Sequence, residues 1–320
     1  MAVSANTNET YDVSTIREDL QDALISISPT ETPVMSAIGR KNVNNTYFEW
    51  GVVDLAAASG SNRVIEGEAA PGNDAPTNAV RQANYTQISD KVVEVSDTAN
   101  SVKGAGDAQT TAKQIAYKLK ELKRDMEKML CDNVAASAGA SGTARQTAGL
   151  PAFLRTNASR GTGGADGTTS GSGTAGYVDA AATDGTQRAI TEQLLKDVIA
   201  NCWDAGAEPS VVICGSSQKQ TISTFTGNAT KFKDITDKTL SAAIDVYVSD
   251  FGELTIVPSR FSRSRDVLVL DPNYARVAYL TPTSQKELAR TGHSERRLIS
   301  VEYGLQVDNE AAHGVVADIS

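Results

Sequence analysis

Few residues of this chain have the types and spacing that catalysis or ligand binding needs. The run Cys214-Gly215-Ser216-Ser217 falls at an expected strand-to-helix turn, where a nucleophile elbow can expose a serine hydroxyl or a helix start can hold a phosphate. A nucleophilic serine needs a histidine base, and the sequence holds only His293 and His313, neither in a recognisable catalytic context. Ser216 or Ser217 fits better as a helix cap. Gly171, Gly173 and Gly176 satisfy GxGxxG. A dinucleotide site also needs a preceding strand, a following helix and an acidic residue roughly 20 positions on, and that context is missing. Cys131, Cys202 and Cys214 are odd in number, far apart and without a CxxC pair, which points to buried free thiols. Two histidines are too few for the usual histidine metal sites, and HExxH, DxDxDG and P-loop patterns do not occur. No catalytic, cofactor-binding or metal-ligating residue is nominated.

The composition asks for a different kind of function. The chain has 320 residues, more than the roughly 250 to 300 at which single cores stop growing, so two lobes are expected. Its formal charge is -9 and its pI about 4.9, whereas duplex-binding proteins usually carry a basic patch. Met1 to Thr10 has no basic start and no apolar run, and no stretch approaches the ~20 apolar residues of a membrane span. A cytosolic setting is expected, in which the sequons at Asn8, Asn44, Asn84, Asn157 and Asn228 have no meaning.

The elements follow from periodicity. Ile16, Leu20, Leu24 and Ile27, with Thr15 and Glu18 as a capping box, predict a helix over about 15–27. Ser28-Pro29-Thr30-Glu31 opens a second short helix that Gly39 stops. Thr46–Leu55 and Val80–Val95 read as two long strands joined by a long loop. Their thin apolar content suggests a ribbon standing away from the body, buried only against neighbouring subunits. The strongest pattern runs from Asp107 to Ser137, where Ile115, Leu119, Leu122, Met126, Met129, Leu130 and Val134 form one stripe. Its polar face carries Lys118, Lys120, Glu121, Lys123, Arg124, Asp125, Glu127 and Lys128. Ala158–Gly185 is rich in Gly, Ser, Thr, Ala and Asp and is expected to be a mobile surface loop. Helices at Thr191–Ala205 and Gln218–Phe225 alternate with strands at Ser210–Cys214, Asp245–Ser249, Leu254–Val257, Asp266–Leu270 and Arg276–Leu280, an α/β lobe. Glu295–Ile319 closes the chain as strand.

Several runs carry a family resemblance. Ser28-Pro29-Thr30-Glu31-Thr32-Pro33 with Ser36-Ala37-Ile38-Gly39 resembles the N-arm of tailed-phage major capsid proteins. Asn84-Tyr85-Thr86-Gln87-Ile88 with Val95-Ser96 is similar to the strand returning from their extended loop. Leu119-Lys120-Glu121-Leu122-Lys123-Arg124-Asp125-Met126-Glu127 resembles their spine helix and is the most specific of these runs. Thr147-Ala148-Gly149-Leu150-Pro151, Cys202-Trp203-Asp204-Ala205-Gly206 and Gln218-Lys219-Gln220 with Ser223-Thr224-Phe225-Thr226-Gly227 continue the likeness in order. So do Val246 to Gly252, Val301-Glu302-Tyr303 and Asn309 to Gly314.

The resemblance implies an α+β chain with the HK97-like capsid fold. Its parts would be an N-terminal arm over 1–45, an extended β-ribbon loop over 46–100, and a peripheral domain with spine helix and Gly/Ser/Thr-rich loop over 101–185. An axial α/β domain over 186–285 and closing strands of the peripheral domain over 286–320 would complete it. It implies self-assembly into pentamers and hexamers that form a phage head around double-stranded DNA, without sequence-specific DNA binding, cofactor or membrane. Partners would be other copies, a portal, and scaffolding or decoration proteins, with assembly in the host cytoplasm and residence in the virion. Two rivals stand beside it: a nanocompartment shell of the same fold around protein cargo, and a cytosolic hydrolase using Ser216 with His293 or His313.

Some shells of this fold join an extended-loop lysine covalently to a neighbour's asparagine. From Asn42 through Asp90 this chain has no lysine, and the tip offers only Arg63 and Arg81, whose guanidinium stays protonated and is no nucleophile. Mature particles boiled in SDS are therefore expected to release one band near 33.7 kDa. A ladder of linked species surviving boiling and reductant would contradict this.

Overall fold

A computed structural model describes residues 28–67, 69, 74–102, 110–171, 175–225 and 246–320. The helix expected over 15–27 lies outside them. Within them, the two larger of four β-sheets meet along a shared core.

The first sheet has strand order β1-β12-β13-β4. Its centre is the hairpin of β12 (Ala275–Glu287) and β13 (Ser294–Val307), with β4 (Gln87–Ser96) antiparallel to β13 and β1 (Gly39–Asn42) parallel to β12. The long helix α3 (Thr111–Cys131) lies across one face. Strand alternation turns Val93 and Val95 of β4 and Ile299, Val301 and Tyr303 of β13 toward it, where they are buried with Leu122, Met126 and Leu130 of the helical stripe. The helix ends six residues before the expected Ser137. Asp132 turns extended with its N–H on the Met129 carbonyl. Asn133 then spends its side-chain amide on both backbone groups of Ala182, a competitor that ends helices.

The arm also begins later than its sequence suggests. Helix α1 is Pro33–Ala37, with Pro33 at its first position. Thr32 precedes a proline, which disfavours helical backbone, and sits at φ -126, ψ 76. Ser28 and Pro29 therefore do not start the helix, and Gly39 opens β1 instead of merely stopping α1.

The strand expected over Val80–Val95 is two strands. β3 (Val80–Tyr85) pairs with β2 (Tyr47–Val52), while β4 leaves for the other sheet. The break is Thr86, whose N–H donates to the Thr46 carbonyl (2.8 Å) and whose hydroxyl donates to Glu302 (2.8 Å). The ribbon base is not free-standing either, because Phe48, Trp50, Val52 and Ala83 are buried within this chain. Gly304 makes room: a Cβ there would come 2.8 Å from Cε1 of Phe48. Only the tip, beyond Val52 and before Val80, is exposed throughout its described part.

The second sheet has order β5-β14-β11-β8-β10-β9. β8 (Val211–Cys214) lies parallel to β10 (Gly252–Pro258) and antiparallel to β11 (Val267–Leu270). β9 (Val246–Ser249) forms the far edge, and β14 (Gly314–Val316) sits between β11 and β5 (Ala158–Ser159). Helix α5 (Glu192–Asp204) buries Leu195, Val198, Ile199 and Cys202 against it. The strand expected at Arg276–Leu280 does not join this lobe; it is the start of β12.

Ala158–Gly185 is not a mobile surface loop over its described residues. It contributes β5, β6 (Thr168–Thr169) and β7 (Val178–Ala180), and Gly161, Val178 and Ala182 are buried. The Asp318 carboxylate accepts from the amides of Gly161 (3.0 Å) and Gly185 (2.8 Å) and pairs with Arg265 (2.6 Å). Burial pushes that carboxyl up, but the two amides and the guanidinium outweigh it and leave its pKa below the usual value. Gly161 is required here, since a Cβ would lie 2.1 Å from the Thr186 carbonyl oxygen.

Leu122, 1% exposed, tests the stripe. Leu122→Asp puts a charge into the core at a cost of several kcal/mol and is expected to abolish soluble product. Reversing the exposed Lys123 should shift the melting free energy by no more than about 0.5 kcal/mol. Equal thermal stability of the two variants would show that the face is wrongly assigned.

Candidate assembly surfaces

The residues singled out for chemistry are occupied elsewhere. Helix α6 (Ser216–Ile222) has Gly215 at its N-cap, and neither Ser216 nor Ser217 caps it; Ser217 bonds instead to the Gln218 side chain at 3.0 Å. A cleft of about 480 Å³ beside them is lined by the arm residues Pro29, Glu31 and Pro33 and by Arg260, but by no histidine. His313 is fully buried, with Nδ1 accepting from the Asp271 amide (3.2 Å) and Nε2 facing the Tyr274 carbonyl (3.4 Å). That pairing puts its proton on Nε2, and burial holds its pKa below the ordinary value. His293 is exposed beside Asp97 (3.2 Å). Gly176, at φ 82, exchanges backbone hydrogen bonds with Arg81 and Ala83 of β3. The strand β7 follows it where a dinucleotide site needs a helix, and Gly173 lies outside the described residues. All three cysteines are free and buried. Burial pushes the Cys202 thiol up to about 12 and the Cys214 thiol to about 11. Among the described residues no group of three or more His, Cys, Asp or Glu could hold a metal.

Two polar residues that the sequence did not mark hold the arm and the ribbon. Glu127, expected on the polar face of α3, is fully buried. Its carboxylate accepts from the amides of Val34 (2.8 Å) and Met35 (2.9 Å). These are free N–H groups of the first turn of α1, whose own Thr32 provides no side-chain cap. Burial pushes the Glu127 carboxyl above its usual range, and the two amides hold it back. The signal in the sequence was its place one helical turn before the buried Cys131, at the border of the stripe. Asn84, also fully buried, uses its whole amide. Nδ2 donates to Thr147 Oγ1 (3.0 Å) and to the Leu305 carbonyl (2.7 Å), while Oδ1 accepts from Tyr85 (2.8 Å) and Ala148 (3.1 Å). It ties the ribbon base to β13 and to the loop after α3.

What this framework presents outward is apolar surface. The ribbon tip exposes Leu55 (84%) and Val64 (71%). On the second lobe, Trp203 of α5 (50% exposed) and Phe251 stand with ring centroids 5.1 Å apart, and Val246 and Val248 of the edge strand β9 are exposed as well. These exposed side chains make the tip and this edge candidates for contact with a neighbour.

A family model described as the SU10 major capsid protein matches residues 4–320. The chain belongs to that family. The major capsid protein of Escherichia phage Phieco32 is 43% identical to this chain over 105 residues, 32% of this chain and 29% of that protein's length. The capsid asymmetric unit of cyanophage A-1(L) superposes with a TM-score of 0.65 at 12% identity, over 97% of this chain and 98% of that one. The SrpI encapsulin of Synechococcus elongatus PCC 7942 follows at 0.56 and 12%, over 95% and 93%. The fold is therefore the HK97-like capsid fold expected from the sequence. As an SU10-family capsid protein the chain is a component of a virion shell. No helix among its described residues is long and apolar enough to cross a membrane.

Asn84→Ala strands the Ala148 amide and the Leu305 carbonyl in the core, at about 1–3 kcal/mol for each unsatisfied group. Chemical denaturation should show a loss of several kcal/mol, and Asn84→Asp should not restore it. A loss below about 0.5 kcal/mol would mean that Asn84 does not hold the ribbon base.

Proposed function

We propose that this chain is a shell-building protein without enzymatic activity, whose copies form pentamers and hexamers and close a tailed-phage head around double-stranded DNA. The observation that carries the reading is the ribbon tip: a long exposed stretch bearing Leu55 and Val64, projecting from a base that the chain itself has locked. Apolar surface fixed in that position gains its stabilisation only when a neighbour covers it. Overlapping arms and loops multiply modest contacts, so the shell is stable by multivalency. In this reading the arm is 1–45, the extended loop runs from 46 to the break at Thr86, and α3 with the sheet of β1, β4, β12 and β13 forms the peripheral domain. The axial domain is the second sheet with α5 and α6, from about residue 186 to Leu270, completed by β14 and β5. Portal, scaffolding and decoration proteins are the expected partners, the net negative charge keeps the inner wall from gripping DNA, and assembly takes place in the host cytoplasm.

The likeness to an encapsulin supports a second reading, a shell around protein cargo. The two separate by particle content, nucleic acid or protein. Purified chain examined by sedimentation and negative-stain microscopy should give capsomers or closed shells. A monomer that persists at every concentration and salt condition, with its ribbon tip ordered, would overturn the assembly reading.

A further inference from the structure

Between the end of β11 at Leu270 and the start of β12 at Ala275 the chain passes from the second sheet to the first. Asp271 and the 3-10 turn Pro272–Tyr274 make that passage. His313, the residue before β14, packs against it and is 0% exposed. Its ring meets both ends of the passage: Nδ1 accepts from the Asp271 amide (3.2 Å) and Nε2 faces the Tyr274 carbonyl (3.4 Å). One side chain thus clips the joint between the sheets to the strand that completes the second.

The backbone on either side of the ring is held. Asn157 donates to the carbonyls of Ala311 (2.7 Å) and His313 (3.2 Å), and a Cβ on Gly314 would lie 2.3 Å from Cγ1 of Val198 on α5. The charged groups around the ring are Asp271, Asp308 and Glu310. Each is committed elsewhere: Asp271 accepts from the amide (3.0 Å) and the side chain (2.9 Å) of Asn273, Asp308 pairs with Arg276 (2.6 Å), and Glu310 holds the amides of Arg155 and Thr156. Helix α5 meets this region with Val198 and the buried Cys202, which carry no charge. The carboxylates attract a charge on the ring, but burial opposes it more strongly and keeps the pKa below the ordinary value. Protonation also breaks the geometry. A proton on Nδ1 turns the acceptor into a donor that faces the Asp271 N–H, and two donors cannot bond to one another.

We propose that His313 is a proton-sensitive clasp between the two sheets: when the imidazole takes up a proton its bond to Asp271 is lost, and the joint at 271–274 opens together with 310–316. The clasp lies within one subunit and does not depend on the assembly reading. An opened or unfolded chain binds the proton near the ordinary histidine value of about 6.5, and the closed chain binds it only below that. The site's contribution to stability is therefore complete above about pH 6.5 and is lost as pH falls from there through the closed-state value.

Two mass-spectrometric measurements on the unaltered chain test this. Amide protection over 271–275 and 310–317, corrected for the intrinsic exchange rate, should fall at least fivefold between about pH 7 and pH 5, while amides at the centre of the β12–β13 hairpin keep theirs. Deuterium uptake at the imidazole C2 carbon, followed on the peptide holding His313, reports the protonation of that ring directly. His313→Asn offers the Asp271 amide an acceptor that cannot charge, and in it the joint should keep its protection down to pH 5. A charged His313 with the Asp271 region still protected overturns the proposal, and this result decides even if His313→Asn yields no folded protein. An equal loss of protection in His313→Asn, or an equal loss at the hairpin centre, overturns it as well.

Discussion

A backbone amide taken out of water must find an acceptor, and in this protein four buried side chains supply acceptors where regular structure stops. Glu127 takes the first free amides of α1, Asn84 those of Tyr85 and Ala148, and Asp318 those of Gly161 and Gly185. Glu310 takes those of Arg155 (3.1 Å) and Thr156 (3.2 Å). Each accepts two N–H groups, and all but that of Tyr85 come from segments distant in sequence. Arm, ribbon base and glycine-rich loop are thus fixed by point attachments as well as by the apolar residues they bury, such as Val34, Met35, Phe48, Trp50 and Val178.

Where a side-chain pattern alone decides structure, the sequence could be read. The stripe of α3 was visible because an apolar face recurs every three to four residues, and the second lobe because short apolar runs alternate with helical ones. Both are packed as the pattern implies, with Leu122 and Ile213 in the core. Glu127 was misplaced because a glutamate at the border of a stripe reads as solvated until its distant partners are known. The glycine-rich segment looked unstructured for a related reason. Composition weighs side chains, yet Gly161 is held through its backbone and by the absence of a Cβ. The break at Thr86 was hidden because strand alternation continues across it.

The function was legible in a different way. Nothing in charge, spacing or motif alone selects shell assembly; those features only removed alternatives, and Ser216, His293 and His313 turn out to lie in unrelated surroundings. Short runs such as those on α3 carried the family, and the match over residues 4–320 agrees with them. The surfaces that act in assembly were the hardest to see. Exposure of Leu55 or Trp203 is a property of the folded subunit, and a sequence gives apolar residues without saying which of them the core will leave outside.

The placement of β14 has a consequence for synthesis. It follows every other strand in the chain yet lies inside the second sheet, between β11 and β5. When β8 leaves the ribosome, about a hundred residues remain before Gly314 emerges, on the order of 5–20 s at ordinary elongation rates. From the emergence of β11 until then its flank is unsealed, and the glycine-rich segment has no Asp318 to grip. The second sheet is therefore completed only after Gly314–Val316 has been made.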